Sequence, residues 1–214
     1  MLIFKNSFKK ILKSLGRFFS LIFIIALGSA FFSGLRETSS DMIKTMDHYY
    51  DEYHLMDFRV VSTMGLTDDD VASLQGLANV SVVEPAYSFE TVVDGYATKV
   101  YSITDEVNQV HLIEGRMPEN ANEILVEVGT YSLGDTVTFE SDSLDYISNQ
   151  SFTVVGLIES PMYIYNSKGI STVGSGKLDT FMYILKDNFT LEAYTEVYIL
   201  AKDNLCLLYT ARCV

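Results

Sequence analysis

Charge and hydropathy change abruptly within the first 36 residues of the chain. Residues 1–17 carry five positive charges and no acid, and Phe18–Leu35 then runs for 18 residues without a charge. A helix of that length covers about 27 Å at 1.5 Å per residue, which matches the hydrocarbon core of a bilayer. The pattern predicts a membrane-spanning helix over residues 18–35. Because basic residues resist translocation, it also predicts a cytoplasmic N-terminus and an extracytoplasmic remainder.

The basic segment before the predicted span has a helical pattern of its own. Lysines recur at four-residue steps, and apolar residues such as Phe4, Phe8 and Leu12 share the opposite face. Such a helix lies on a membrane surface with its cations toward anionic head groups. We therefore predict a cytoplasmic basic amphipathic helix over residues 1–17. The predicted membrane-surface residues are Lys5, Lys9, Lys10, Lys13 and Arg17.

A cleaved signal peptide is the alternative to a permanent span. Gly28, Ser29 and Ala30 supply the small residues that cleavage after Ala30 would need. Two features argue against cleavage: the basic region is long, and the apolar run continues past Ala30 to Leu35. These features favour a span that stays attached to the domain.

A second helical pattern follows the span and predicts a stalk helix over residues 36–56. Ser39, Ser40 and Asp41 form a typical helix start. A stripe then recurs at three- and four-residue steps, and it contains Met42, Met46, Tyr49 and Tyr53. One interpretation is a stalk that transmits motion between membrane and domain. The other is an ordinary amphipathic helix that packs its stripe on a sheet.

The remaining sequence, residues 57–201, predicts an extracytoplasmic domain of the α+β class. Thr67 precedes three aspartates and a short apolar pattern, which indicates a capped helix rather than a calcium loop. Asp94-Gly95 between two apolar runs indicates a tight hairpin. Two helices and about eight strands that do not alternate favour α+β over a wound parallel sheet.

Composition excludes some classes of function. The chain has a net charge of −13, and because residues 1–17 contribute +5, the rest carries −18. So acidic a domain would repel phosphate, which argues against nucleic acid as a partner. The two cysteines, Cys206 and Cys213, fall in the last nine residues, so the body of the domain has no disulfide framework.

No motif in the sequence indicates an enzyme. The loop Gly174–Lys177 lacks the first glycine and the hydroxyl residue of a phosphate-binding loop. His48, His54 and His111 do not have the spacing of a zinc site. The chain also has no nucleophile elbow. We therefore predict no catalytic residue, no cofactor and no metal.

An apolar loop after the last proline is a candidate for contact with a partner. Met162, Tyr163, Ile164 and Tyr165 follow Pro161 and precede a glycine-rich stretch. Apolar side chains in a loop mark a contact surface when they are exposed. The alternative is that the same side chains fold back onto their own sheet.

Several short motifs occur in a fixed order behind the predicted span. In chain order they are Met56-Asp57-Phe58-Arg59-Val60, Gly65-Leu66-Thr67, Val83-Glu84-Pro85-Ala86-Tyr87, Leu112-Ile113-Glu114-Gly115-Arg116-Met117-Pro118, Asn122-Glu123-Ile124, Leu133-Gly134-Asp135-Thr136-Val137, Phe152-Thr153-Val154-Val155-Gly156-Leu157-Ile158 and Ser160-Pro161-Met162-Tyr163. Together with the span, these motifs resemble the FtsX-like and MacB-like ABC transporter permeases, and the resemblance covers residues 1 to about 200.

The resemblance implies a fold and a role. It implies a MacB-like periplasmic core fold that contacts cargo or a partner protein, pairing with a second copy or a related permease, and a cytoplasmic ATPase that docks on the full-length permease. It further implies that the domain couples ATPase-driven motion across the membrane.

The sequence departs from the permease pattern after the domain. No second apolar run of spanning length follows Leu35, and residues 202–214 carry no pattern of the family. We expect a truncated or frame-shifted permease, in which the segment that would dock the ATPase is missing. A stand-alone module for binding, either anchored in the membrane or secreted, is the alternative.

Overall fold

The computed structural model describes residues 15–164 and 167–202, and these divide into one long helix and a mixed domain. Helix α1 is Leu15–Glu52, and helix α2 is Asp68–Gln75. The strands are β1 Phe58–Leu66, β2 Val80–Ala86, β3 Ser88–Val93, β4 Tyr96–Ser102, β5 His111–Gly115, β6 Glu123–Glu127, β7 Thr136–Thr138, β8 Ser151–Glu159, β9 Thr180–Ile184 and β10 Tyr194–Ala201. Short 3₁₀ helices occupy Ser141–Asp145, Pro161–Tyr163 and Lys186–Asn188. This content confirms the α+β class.

Helix α1 is continuous, so the predicted helix start at Ser39 is wrong. Serine and aspartate cost a helix interior only tenths of a kcal/mol, and no proline interrupts the chain there. Two threonines in this stretch bond back to the preceding turn: Thr38 Oγ1 donates to the Gly34 carbonyl and Thr45 Oγ1 to that of Asp41, each over 2.8 Å. The helix ends at Glu52, four residues before the predicted end of the stalk.

The first part of α1 is long and apolar enough to cross a membrane. Its most apolar 18-residue window has a mean hydropathy of 2.2, and none of that window is buried. Large side chains such as Phe23, Phe31 and Phe32 are exposed along its length. Of the predicted membrane-surface residues, Arg17 is exposed on this helix, whereas Lys5, Lys9, Lys10 and Lys13 lie outside the described residues.

The domain contains two sheets. The larger has seven strands in the order β3-β4-β9-β6-β8-β5, with β7 pairing the first half of β8. The smaller has the order β1-β10-β2 and is antiparallel throughout. Strands β2 and β3 are separated only by Tyr87, so the chain passes from one sheet into the other at that residue.

The core lies on both faces of the larger sheet. Along β9, Met182 and Ile184 face one cluster, and Phe181 and Tyr183 face the other. Successive side chains point to opposite faces of a strand, so a strand covered on both faces is apolar throughout. All five residues of β9 are accordingly buried. The smaller sheet has a smaller core around Leu66, Val197 and Ile199, which α2 covers with Val71 and Leu74.

Short local patterns determine several turns and caps. Asp94 and Gly95 both have positive φ, 51° and 86°, as the predicted hairpin turn requires. Thr67 and Asp70 form a reciprocal capping box at α2, which confirms the capping interpretation of the aspartates. Strand β5 was not predicted. It is a short edge strand with mostly exposed side chains, so its hydropathy pattern is weak.

Candidate functional site

Helix α1 is followed by a left-handed turn, in which a backbone hydrogen bond closes the end of the helix. The amide of Leu55 donates to the Tyr50 carbonyl over 2.9 Å, and His54 adopts a φ of 48°. Glycine is the usual residue at such a position, because a side chain is strained there. The strain at His54 is offset by its ring, since Nδ1 lies 2.9 Å from the carbonyl oxygen of Glu106.

The chain just after α1 is bound to the loop between β4 and β5. The amides of Asn108 and Gln109 donate to the carbonyls of His54 and Tyr53, each over 2.9 Å. In return the Met56 amide donates to Asn108 Oδ1 over 2.9 Å. We call this set of contacts, between residues 53–56 and 104–109, the junction. It fixes the start of the domain to a loop about 50 residues away in the sequence.

Asn108 is the central side chain of the junction. It is 1% exposed, and its φ of 55° is one that asparagine adopts more easily than most residues. Tyr53 supplements the backbone bonds, because its ring lies 5.1 Å from that of His111. Of the predicted stalk residues, Tyr53 therefore lies beyond the helix and in the junction, whereas Met42, Met46 and Tyr49 lie on α1.

A single carboxylate on β2 holds the other side of the junction. Glu84 Oε1 accepts from the Asp105 amide over 2.6 Å, and Oε2 accepts from the amides of Glu106 and Val107 over 3.1 and 2.7 Å. Three successive amides aimed at one carboxylate resemble the cap of a helix start. The single acid of β2, which directly follows two valines, is the signal that sequence reasoning could have used to find it.

The two sheets meet at a buried carboxylate, Glu196, which is 2% exposed. Its Oε1 accepts from Ser88 Oγ over 2.6 Å and from Lys99 Nζ over 3.1 Å. Its Oε2 accepts from the Tyr198 hydroxyl over 2.9 Å, and Arg59 Nη1 lies 3.8 Å away. Burial by itself raises the pKa of this carboxyl, but Lys99, Ser88 and Arg59 together lower the pKa below its ordinary value.

The apolar loop after Pro161 divides into a buried and an exposed part. Tyr163 stacks on Phe181 with ring centroids 4.8 Å apart, and its hydroxyl bonds that of Tyr101. Met162 packs against the same aromatic cluster. Met162 and Tyr163 therefore fold back onto their own sheet and do not form an exposed contact surface. Ile164 is exposed, and its contact with a partner stays a prediction, while Tyr165 lies outside the described residues.

Within residues 15–164 and 167–202, no group of three histidine, cysteine, aspartate or glutamate side chains is arranged to hold a metal ion. The ionisable side chains with perturbed pKa values instead form structural bonds. Glu123 is the strongest case: the Arg116 guanidinium donates to both of its oxygens, over 2.8 and 2.6 Å, and lowers the pKa of the carboxyl far below its ordinary value. This pair closes the loop between β5 and β6.

One known protein family matches this chain. The family model for the MacB-like periplasmic core domain matches residues 16–205. The extracellular domain of the noncanonic ABC-type transporter YknZ from Gram-positive bacteria is 14% identical, with a TM-score of 0.41 over 71% of this chain and 82% of that one. The periplasmic region of MacB from Actinobacillus actinomycetemcomitans is 15% identical, with a TM-score of 0.40 over 70% of this chain and 69% of that one. No curated protein sequence matches the chain.

The family match covers most of the chain, including the apolar part of α1 and both sheets of the domain. On this match, the chain belongs to the family of MacB-like periplasmic core domains.

Proposed function

We propose that this chain supplies the first membrane span and the extracytoplasmic domain of an ABC transporter permease. In this arrangement the basic N-terminus stays in the cytoplasm, α1 crosses the membrane, and the acidic domain lies outside. The family match supports the assignment to a permease. The asymmetry between the basic residues 1–17 and the acidic remainder supports the orientation.

The domain would contact cargo or a partner protein and couple to motion that an ATPase drives from the cytoplasmic side. The ATPase would act through the full-length permease, and a second copy or a related permease would complete the transporter. The junction is the observation that carries the coupling proposal. Three backbone amides and one buried asparagine bind the residues just after α1 to the body of the domain, so a displacement of these residues would be passed on rather than absorbed by a loose linker.

The Asn108→Gly variant tests the coupling. Glycine accepts the positive φ of this position but cannot accept the hydrogen bond from the Met56 amide. Spin labels would be placed at the exposed residues Glu37 and Glu140 of the full chain in nanodiscs, with Cys206 and Cys213 replaced by serine. We expect a wider distribution of label distances in the variant, measured by pulsed electron resonance.

Asp94→Gly is the matched control for this experiment. It also replaces a positive-φ residue by glycine and removes one side-chain hydrogen bond, from the Tyr131 hydroxyl, but it lies in the hairpin turn. The control should leave the distance distribution unchanged. An equally narrow distribution in Asn108→Gly would exclude the junction as the coupling element.

The orientation has its own test. Protease added to intact cells that carry an N-terminally tagged chain should digest the domain and leave the tag protected. A soluble product that starts near Phe31 would instead establish cleavage after Ala30 and end the membrane-span proposal.

A further inference from the structure

A polar cleft opens beside the site where the two sheets meet. It has a volume of about 270 Å³ and lies between β1, β3, β4 and the segment that follows β8. Its wall carries three cations, Arg59, Lys99 and Lys168, and a single carboxylate, that of Glu90. An excess of cations on one wall is unusual in a chain with 28 acidic and 15 basic residues. The cleft therefore differs in charge from the rest of the domain.

The three cations differ in how fully they are bound. Lys99 donates to Glu196 over 3.1 Å, and Lys168 lies 2.9 Å from Glu127 and donates to the Asp179 carbonyl over 2.9 Å. Arg59 is different. Its side chain is 42% exposed, its nearest carboxylate oxygen is 3.8 Å away, and its guanidinium donates no hydrogen bond to another residue that the structure describes. A guanidinium has five N–H donors in a planar fork, so Arg59 has donors to offer a ligand.

The rest of the cleft is apolar or hydroxylic. Met56, Met162 and Leu178 contribute apolar surface, and the half-buried ring of Tyr163 contributes aromatic surface. Tyr101 lines the cleft from behind, because it is only 2% exposed and Lys99 Nζ lies over its ring. Burial raises the pKa of Tyr163 to about 12, so both tyrosines stay neutral at physiological pH. A ligand that fits would place an apolar body against these side chains and an anionic group on Arg59.

The nearby carboxylates restrict the charge of that anion. Glu90 lies in the wall, and Glu196 contacts both Arg59 and Lys99. Two fixed negative charges repel a dianion such as a phosphate monoester more than a monoanion. The guanidinium fork also matches the two oxygens of a carboxylate.

We propose that this cleft binds a small monocarboxylate with an apolar body, whose carboxylate pairs with Arg59. Two kinds of molecule share this chemistry: a free carboxylic acid, and the C-terminal residue of a peptide. The proposal rests on the side chains of the cleft and not on coupling through the junction; Met56 belongs to both, with its backbone amide in the junction and its side chain in the cleft.

Methionine methyl groups report on the cleft directly. In the full chain in nanodiscs, with methionine methyls labelled with ¹³C, Met56 and Met162 lie in the cleft, and Met64, which is 93% exposed, is the control. Phenylacetate represents the free acid, and N-acetylphenylalanine represents a chain terminus. Their amides, phenylacetamide and N-acetylphenylalaninamide, are the neutral controls.

We expect saturable shifts of the Met56 and Met162 methyls with at least one of the two carboxylates, weaker shifts with its amide, and no shift of Met64. Saturation with phenylacetate identifies free acids as ligands, whereas saturation with N-acetylphenylalanine alone identifies chain termini. The absence of saturable shifts with both carboxylates would overturn the proposal, as would equal affinity for acid and amide.

Substitutions of Arg59 distinguish the contribution of its charge to binding from that of its planar guanidinium. Arg59→Gln should weaken binding about tenfold or more, since a hydrogen bond to a charged group is lost. Arg59→Lys keeps the charge without the fork and should bind with intermediate affinity. Lys177→Gln removes an exposed cation outside the cleft and should bind normally. The buried methyl of Met182 reports whether each variant is folded, and wild-type affinity in folded Arg59→Gln would overturn the assignment of Arg59.

Discussion

The two sheets of the domain are stabilised in different ways. In the larger sheet, all five residues of β9 and four of the five in β6 are buried, so apolar packing on both faces fixes the strands. In the smaller sheet, the edge strand β1 has one buried residue, Leu66, and exposes Met64 almost completely. The larger sheet is therefore packed on both faces, whereas the smaller sheet, apart from four buried residues of its central strand β10, has a smaller apolar layer and depends in addition on polar bonds.

Those polar bonds link the smaller sheet to the larger one. The Ser88 amide donates to Thr195 Oγ1 over 2.6 Å, Lys99 pairs with Glu196, and Lys186 Nζ donates to the Pro85 carbonyl over 3.1 Å. Hydrogen bonds and ion pairs are directional and can be exchanged, whereas an interlocked core resists displacement. The junction leads directly into β1, so the smaller sheet is the part of the domain that follows the junction first along the chain.

Loss of core volume in the larger sheet should have the largest effect. Met182 is fully buried in the middle of β9, and truncation to alanine leaves a cavity that the sheet cannot fill. We expect Met182→Ala to lower the free energy of unfolding by about 2–5 kcal/mol. Denaturant titration of the full chain in nanodiscs measures it. Met64→Ala is the matched control and should change stability by less than about 0.5 kcal/mol. A small loss in Met182→Ala would contradict the contrast between the sheets.

Breaking the ion pair between the sheets should have the next largest effect. Lys99→Met leaves Glu196 buried with only Arg59 nearby. We expect the free energy of unfolding to fall by about 2 kcal/mol. This is less than the loss of about 3–5 kcal/mol expected when a buried pair is broken and no other cation is near. Adding Glu196→Gln should restore part of that stability, because no buried charge is then left unpaired, and the remaining Arg59 is partly exposed to water. A double-mutant cycle measures the coupling. Additive losses would show that the pair does not link the sheets.

The same pair predicts a dependence on pH. The pKa of Glu196 is lower in the folded chain than its ordinary value of 4.5, so the folded state binds this proton less readily than the unfolded state. Its contribution is therefore complete above pH 4.5 and is lost as the pH falls through the lowered pKa. Wild type should lose stability in that range more steeply than Glu196→Gln. Parallel curves for the two proteins would exclude Glu196 as the titrating group.

Removal of the cap of α2 should have a smaller effect on stability than Met182→Ala or Lys99→Met. Helix α2 covers the apolar layer of the smaller sheet, and Thr67 satisfies the amide of Asp70 at its start. Thr67→Ala should lower the free energy of unfolding by about 1 kcal/mol, whereas Thr67→Ser keeps the hydroxyl and most of the stability. Equal losses in both variants would show that the methyl group, and not the cap, stabilises this position.

Several motifs that carry the family resemblance have structural roles. Gly115 has a φ of 89°, and a Cβ there would overlap the carbonyl oxygen of Val155. Arg116 and Glu123 form the two-pronged pair that closes the loop between β5 and β6. In this chain these motif residues therefore form a tight turn and the closure of a loop.

Elements that depend on interactions between residues close in the chain could be predicted from the sequence. An uncharged run of 18 residues predicts an apolar helix, Asp94-Gly95 predicts a turn of positive φ, and Thr67 with Asp70 predicts a cap. In each case the interacting groups are close in the chain, so the spacing of the residues is enough to predict the element. The same reasoning failed at Ser39, because a start signal is also compatible with a helix interior when the helix is already formed.

Tertiary structure alone decided the junction, the contact between the sheets and the cleft. Ser88 and Glu196 are 108 residues apart, and Asn108 is 52 residues from the amide that it binds. Their meeting depends on β10 entering between β1 and β2, and on a carboxylate of β2 that holds the loop after β4. Which strands pair is set by the packing of the whole core, and no local spacing in the sequence encodes it.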